Sequence, residues 1–112
     1  MDSKLITGTV EMLILQVVSP APTYGYEISQ EVLQQSSGSF ALKEGSLYPA
    51  LHRLERAKLL DSYWVELESG RRRKYYRITA HGRKALAAKR AEWERFAFAV
   101  SRVLGTQSHA VG

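Results

Sequence analysis

Cysteine is absent from the 112-residue chain, so disulfides, thiolate metal sites and cysteine nucleophiles are excluded. Long apolar runs are missing too. The stretch Val10 to Val18 is interrupted by Glu11 and Gln16 and is too short to span a bilayer. Met1 to Thr7 has no extended apolar core followed by a small-residue cleavage site, which leaves a soluble cytoplasmic protein as the expectation. Acidic residues are outnumbered, 11 against 16 basic ones, and the resulting net charge of +5 favours an anionic partner. His52, His81 and His109 share no metal-ligand spacing, and Ser46-Leu47-Tyr48 offers neither a nucleophile elbow nor a phosphate loop. No enzyme, metal or cofactor is expected. The length suits one small domain with a modest core.

What is present begins with an apolar helix. From Leu5 to Val18 nearly every helical face is apolar, so the element must be buried on several sides. Gly8 is read as its N-cap with Glu11 at the third position, and Ser19-Pro20-Ala21-Pro22 as its end. A second helix is predicted from Tyr24 to Gln35 with Ile28, Val32 and Leu33 inward, closed by Ser36-Ser37-Gly38-Ser39. A third, Glu44 to Lys58, has Leu47, Leu51 and Leu54 on one stripe and His52, Arg53 and Arg56 largely away from it. The short connection makes these two a helix-turn-helix variant whose third helix suits a major groove. Pro49 removes one donor there and predicts a local kink rather than a break.

Tyr63, Val65 and Leu67 alternate with Trp64, Glu66 and Glu68, and Tyr76 and Ile78 alternate with Tyr75 and Arg77. This predicts two antiparallel strands turning at Ser69-Gly70, with one apolar face packed on the helices as a wing. Arg71, Arg72, Arg73 and Lys74 then crowd the hairpin tip. A solvated charge run is the plain alternative, but a basic run between paired strands beside a helix suits a phosphate backbone. Thr79 is placed to cap a last helix containing Leu86, Trp93, Phe96, Val100 and Val103 close to a heptad seam. The fold class is therefore mainly α with a small β-hairpin: a winged helix-turn-helix over residues 1–79, a dimerisation helix over 80–104 and a tail over 105–112.

Three stretches carry a family resemblance: Gly25-Tyr26-Glu27-Ile28; Gly45-Ser46-Leu47-Tyr48-Pro49-Ala50-Leu51-His52-Arg53-Leu54-Glu55; and Gly70-Arg71-Arg72-Arg73-Lys74-Tyr75-Tyr76-Arg77-Ile78-Thr79, followed by Gly82. In order and spacing the chain resembles PadR-family transcriptional regulators of the short class, over about Leu5 to Leu104. The resemblance implies a homodimer on an inverted-repeat operator in double-stranded DNA, often a repressor. Its third helix would enter the major groove through Ser46, Tyr48, Pro49, His52 and Arg53. Arg71, Arg72, Arg73 and Lys74 would touch backbone or minor groove. Some members bind flat aromatic effectors between tryptophans at the dimer centre, so Trp93 and Phe96 have two readings, effector site or packing anchors. Tyr24, Tyr26 and Tyr48 likewise suit either filling of the head or hydroxyl contacts.

One departure stands out. Lys43-Glu44-Gly45 replaces the family's hydroxyl residue and proline before the glycine, which removes the usual cap and places a carboxylate near DNA. Altered operator preference or modestly weaker binding is expected. A winged-helix protein-interaction module without specific DNA binding is the alternative function.

Overall fold

The computed structural model describes residues 3–106, with side chains from residue 8 onward. In chain order the elements are α1 (Ser3–Val18), β1 (Thr23–Tyr24), α2 (Gly25–Gln35), α3 (Glu44–Arg56), β2 (Leu60–Glu66), β3 (Arg72–Ile78) and α4 (Ala80–Leu104). Ile14, Leu15 and Val18 of α1 are fully buried, and the helix packs against α2, α3 and α4 together. That arrangement answers its all-round apolar coat. Gly8 is not its N-cap: the helix begins at Ser3 and runs through Gly8, because a lone glycine weakens a helix without ending it.

Ile28 and Val32 face the core from α2, and Leu47, Ala50, Leu51 and Leu54 from α3. α2 ends where Ser36 caps it and the chain turns through Gly38 at φ 84°. α3 is one helix with Pro49 inside it, so the proline does not interrupt it.

The sheet is antiparallel in the order β1-β3-β2, one strand more than the sequence pattern predicts. Its register corrects the simple alternation. Ser62 stands opposite Tyr76 and Leu60 opposite Ile78, whereas Tyr63 stands opposite Tyr75. Directly opposed residues share a face, so Tyr63 and Tyr76 lie on opposite faces. Leu60 and Tyr76 join the helical core, while Tyr63 and Tyr75 stack on the far face with ring centroids 5.8 Å apart.

α4 starts at a built cap. Thr79 Oγ1 accepts from the Gly82 amide at 2.9 Å and donates to the Lys58 carbonyl at 2.7 Å. Gly82 lies so close to the Leu59 carbonyl that a β-carbon would collide with it, and Leu86, one turn on, reaches the core. Most of the rest of this 25-residue helix is exposed, although Arg90 Nη1 still donates to Gln16 Oε1 of α1 at 3.4 Å, and the molecule extends over 56 × 29 × 26 Å.

Candidate nucleic-acid interface

α2, α3 and the β2–β3 hairpin frame one open groove of about 730 Å³. Tyr24, Gly25 and Tyr26 line it from the start of α2, and Tyr48 and His52 from α3. Trp64, Leu67, Arg71, Arg72, Arg73, Lys74 and Tyr76 line it from the hairpin. Gly25 permits this closeness: an added β-carbon would lie 2.9 Å from the Tyr48 hydroxyl, so the ring rests over the first turn of α2. At the tip, Gly70 adopts φ 86°, a conformation that favours glycine, and its amide donates to the Leu67 carbonyl at 2.9 Å. The turn therefore presents the basic run beside the outer face of α3.

The four tip cations are not equivalent. Lys74 Nζ donates to Glu55 Oε1 at 3.3 Å, while Glu55 Oε2 accepts from Ser62 Oγ at 2.6 Å. The Ser62 hydrogen bond, opposed by burial and helped by Lys74, holds the Glu55 carboxyl below its usual range. Burial pushes the neighbouring Tyr76 phenol up. Lys74 is thus paired with a carboxylate. Arg72 lies over the Trp64 ring at 4.9 Å and Arg73 over the Tyr24 ring at 3.9 Å, so aromatic faces orient both without neutralising them. Arg71 has no ion pair or ring contact among the described residues. Arg71 and Arg72 thus edge the groove without an ion pair, while the Arg73 side chain, opposite Val65, lies with Tyr24 and Tyr75 toward the far face of the sheet.

Of the α3 residues singled out in the sequence, Tyr48 and His52 face this groove, and Ser46 and Pro49 are exposed outside its lining. Arg53 also lies outside the lining, 45% exposed, and its Nε donates to Glu11 Oε1 of α1 at 2.8 Å. The α3 N-terminus has Lys43 as N-cap without a side-chain hydrogen bond, and Glu44 stands in the first turn. Trp64 is a lining residue that the sequence reading did not assign, whereas Tyr24 and Tyr26, read as either head-filling or contact residues, both line the groove. The signal for Trp64 is an aromatic side chain on the strand that pairs with the basic run. His81 is exposed on α4, and His109 lies outside the described residues.

Along α4 the proposed seam divides. Leu86 is 7% exposed and belongs to its own chain's core, so it is not an open interface residue. Trp93, Phe96, Val100 and Val103 are 40–87% exposed, and the Trp93 and Phe96 rings lie 5.9 Å apart. Among the described residues there is no cluster of metal-ligating side chains, and no helix is long and apolar enough to cross a membrane.

The sequence pattern described as the transcriptional regulator PadR-like family matches residues 14–88. The transcriptional regulator Rv3488 of Mycobacterium tuberculosis is 38% identical over 105 residues, covering 94% of this chain and 92% of that one. A transcriptional regulator from Clostridium thermocellum, Cth-833, has a similar structure, with a TM-score of 0.81 and 36% identity over 89% of this chain and 97% of its own. The PadR-like transcriptional regulator BC4206 of Bacillus cereus gives a TM-score of 0.77 at 30% identity, covering 94% and 100%.

Proposed function

Because the chain belongs to the PadR-like family of transcriptional regulators, and is accordingly a regulator rather than an enzyme, we propose that it acts in the cytoplasm as a homodimeric repressor on an inverted-repeat operator. The observation carrying this reading is one groove lined by Tyr48 and His52 of α3 and by Arg71 and Arg72 of the hairpin, with Arg73 at its rim. A helix presenting a hydroxyl and an imidazole can read base edges, while guanidinium groups at the tip take the adjacent phosphates. Ser46, Pro49 and Arg53 extend the helix contact, and Lys74 contributes mainly by holding the wing to Glu55.

The exposed face of α4 supports the assembly. Trp93, Phe96, Val100 and Val103 form an apolar stripe that a second copy of the chain covers, and pairing two α3 helices matches a palindromic site. A planar aromatic ligand that relieves repression is the remaining part of this reading, supported by the exposed Trp93 and Phe96 pair. Selection of bound duplexes from a random pool at moderate salt tests the central claim and should recover a roughly palindromic sequence. Recovery of an essentially random population, or equal affinity for the selected and scrambled duplexes, would reject it.

A further inference from the structure

Arg53 follows Ser46 by seven positions and Pro49 by four, so the three share one outward side of α3. Its guanidinium is nonetheless fixed from behind. Nε donates to Glu11 Oε1 on α1 at 2.8 Å, and the Glu11 side chain is only 18% exposed whereas that of Arg53 is 45% exposed. The contact engages Nε and leaves the two terminal nitrogens without a partner among the described residues. Those nitrogens form the fork that matches a phosphate or the O6 and N7 edge of guanine.

We propose that Glu11 is a positioning residue for DNA recognition: from α1 it orients the Arg53 fork outward on α3, so that a residue remote from the groove sets part of the helix contact. The proposal rests on the DNA-binding reading and adds Glu11 to it. α1 is a suitable support, because Ile14 and Leu15, just beyond Glu11, are fully buried. An unanchored arginine loses more side-chain freedom on binding than one already held at Nε, so Glu11 lowers the ordering cost of the contact.

The test is a double-mutant cycle on the selected operator, using the whole chain. Glu11→Ala and Arg53→Ala should each weaken binding by roughly tenfold, within the range of a good bidentate arginine contact. The double variant should be no weaker than Arg53→Ala alone, because without Arg53 the carboxylate has nothing to position. Glu11→Gln, which keeps an acceptor at the same place, should fall between the parent and Glu11→Ala. A DNA-free measurement accompanies these: the Arg53 Nε–H resonance should be protected in the parent and lose protection in Glu11→Ala at unchanged thermal stability.

Additive losses in the double variant would make Glu11 a structural residue and overturn the proposal. Tighter binding by Glu11→Ala would overturn it in the opposite sense, showing that the carboxylate withholds Arg53 from DNA. If Arg53→Ala binds normally, both the Arg53 contact and the role of Glu11 fail while operator binding itself stands. A parent that selects no operator rejects the DNA reading and this proposal with it, whereas an unprotected Arg53 Nε–H in an operator-binding parent rejects this proposal alone.

Discussion

Gly82 shows how a single missing side chain fixes the start of α4. A β-carbon there would strike the Leu59 carbonyl and also crowd Ile78, and backbone cannot yield as a flexible side chain can. Gly82→Ala should therefore cost about 1–3 kcal/mol, the range for overpacking, despite alanine's better helix propensity. Thermal denaturation would register this as a lower midpoint, and an unchanged or raised midpoint would count against the contact. Glu55 gives a residue-scale prediction with a sign. Its folded carboxyl titrates below the usual range, mainly because Ser62 donates to it, so its contribution is present above the unfolded value. That contribution is lost as pH falls through the depressed folded value. Glu55→Gln should consequently destabilise the chain near neutrality and converge on the parent in acid. With the Glu55 side chain 33% exposed, solvent screening limits the neutral-pH difference to about 1 kcal/mol or less. Parallel denaturation curves at neutral and acidic pH check it; a gap that persists in acid would point to lost packing instead.

At the scale of elements, α2, α3, the two wing strands and the Thr79 cap were legible because each has a local signature. Leu47, Leu51 and Leu54 mark the helical stripe, and Gly70 marks the turn. β1 was not legible. Two residues, Thr23 and Tyr24, cannot display a period, and they become a strand only by pairing with Tyr76 and Tyr75 far along the chain. The sheet faces escaped for a similar reason, since register depends on where the turn closes and not on alternation within either strand. At the candidate interface, residue types on α3 showed its polar side, but Arg53's partner lies 42 positions away and leaves no local trace. The hairpin supports a prediction as a unit. Replacing Arg72 and Arg73 together by alanine should weaken operator and scrambled duplex alike, and flatten the salt dependence by about two phosphates' worth of slope. His52→Ala should reduce operator affinity selectively. Titrations of both duplexes across salt concentrations separate these effects once circular dichroism has shown that the double variant folds. An unchanged slope would remove these arginines from the phosphate contacts.

For the whole molecule, the decisive feature is the unequal burial of α4. Its first turns are built into the head through Gly82 and Leu86, while Trp93 and the apolar residues beyond it project from the same rigid helix. The heptad spacing was readable in the sequence, but its division into core and open surface was not, because that depends on where the head ends. In the proposed dimer an open stripe of this kind would link assembly to DNA affinity by mass action, because two recognition helices would act together only when the dimer is populated. Trp93→Ala should remove a central aromatic anchor and weaken the dimer by about 2–4 kcal/mol if Trp93 is an interface hot spot. Operator affinity should then fall at low protein concentration and recover as concentration rises, although Trp93 lies outside the groove lining. Sedimentation across a concentration series, followed by operator titration over the same range, separates lost assembly from lost DNA contact. A variant as dimeric as the parent that no longer binds planar aromatic ligands would shift Trp93 from assembly to effector binding. A variant unchanged in both respects would leave neither role to this side chain, and the stripe's remaining anchors, Phe96, Val100 and Val103, would have to carry the association.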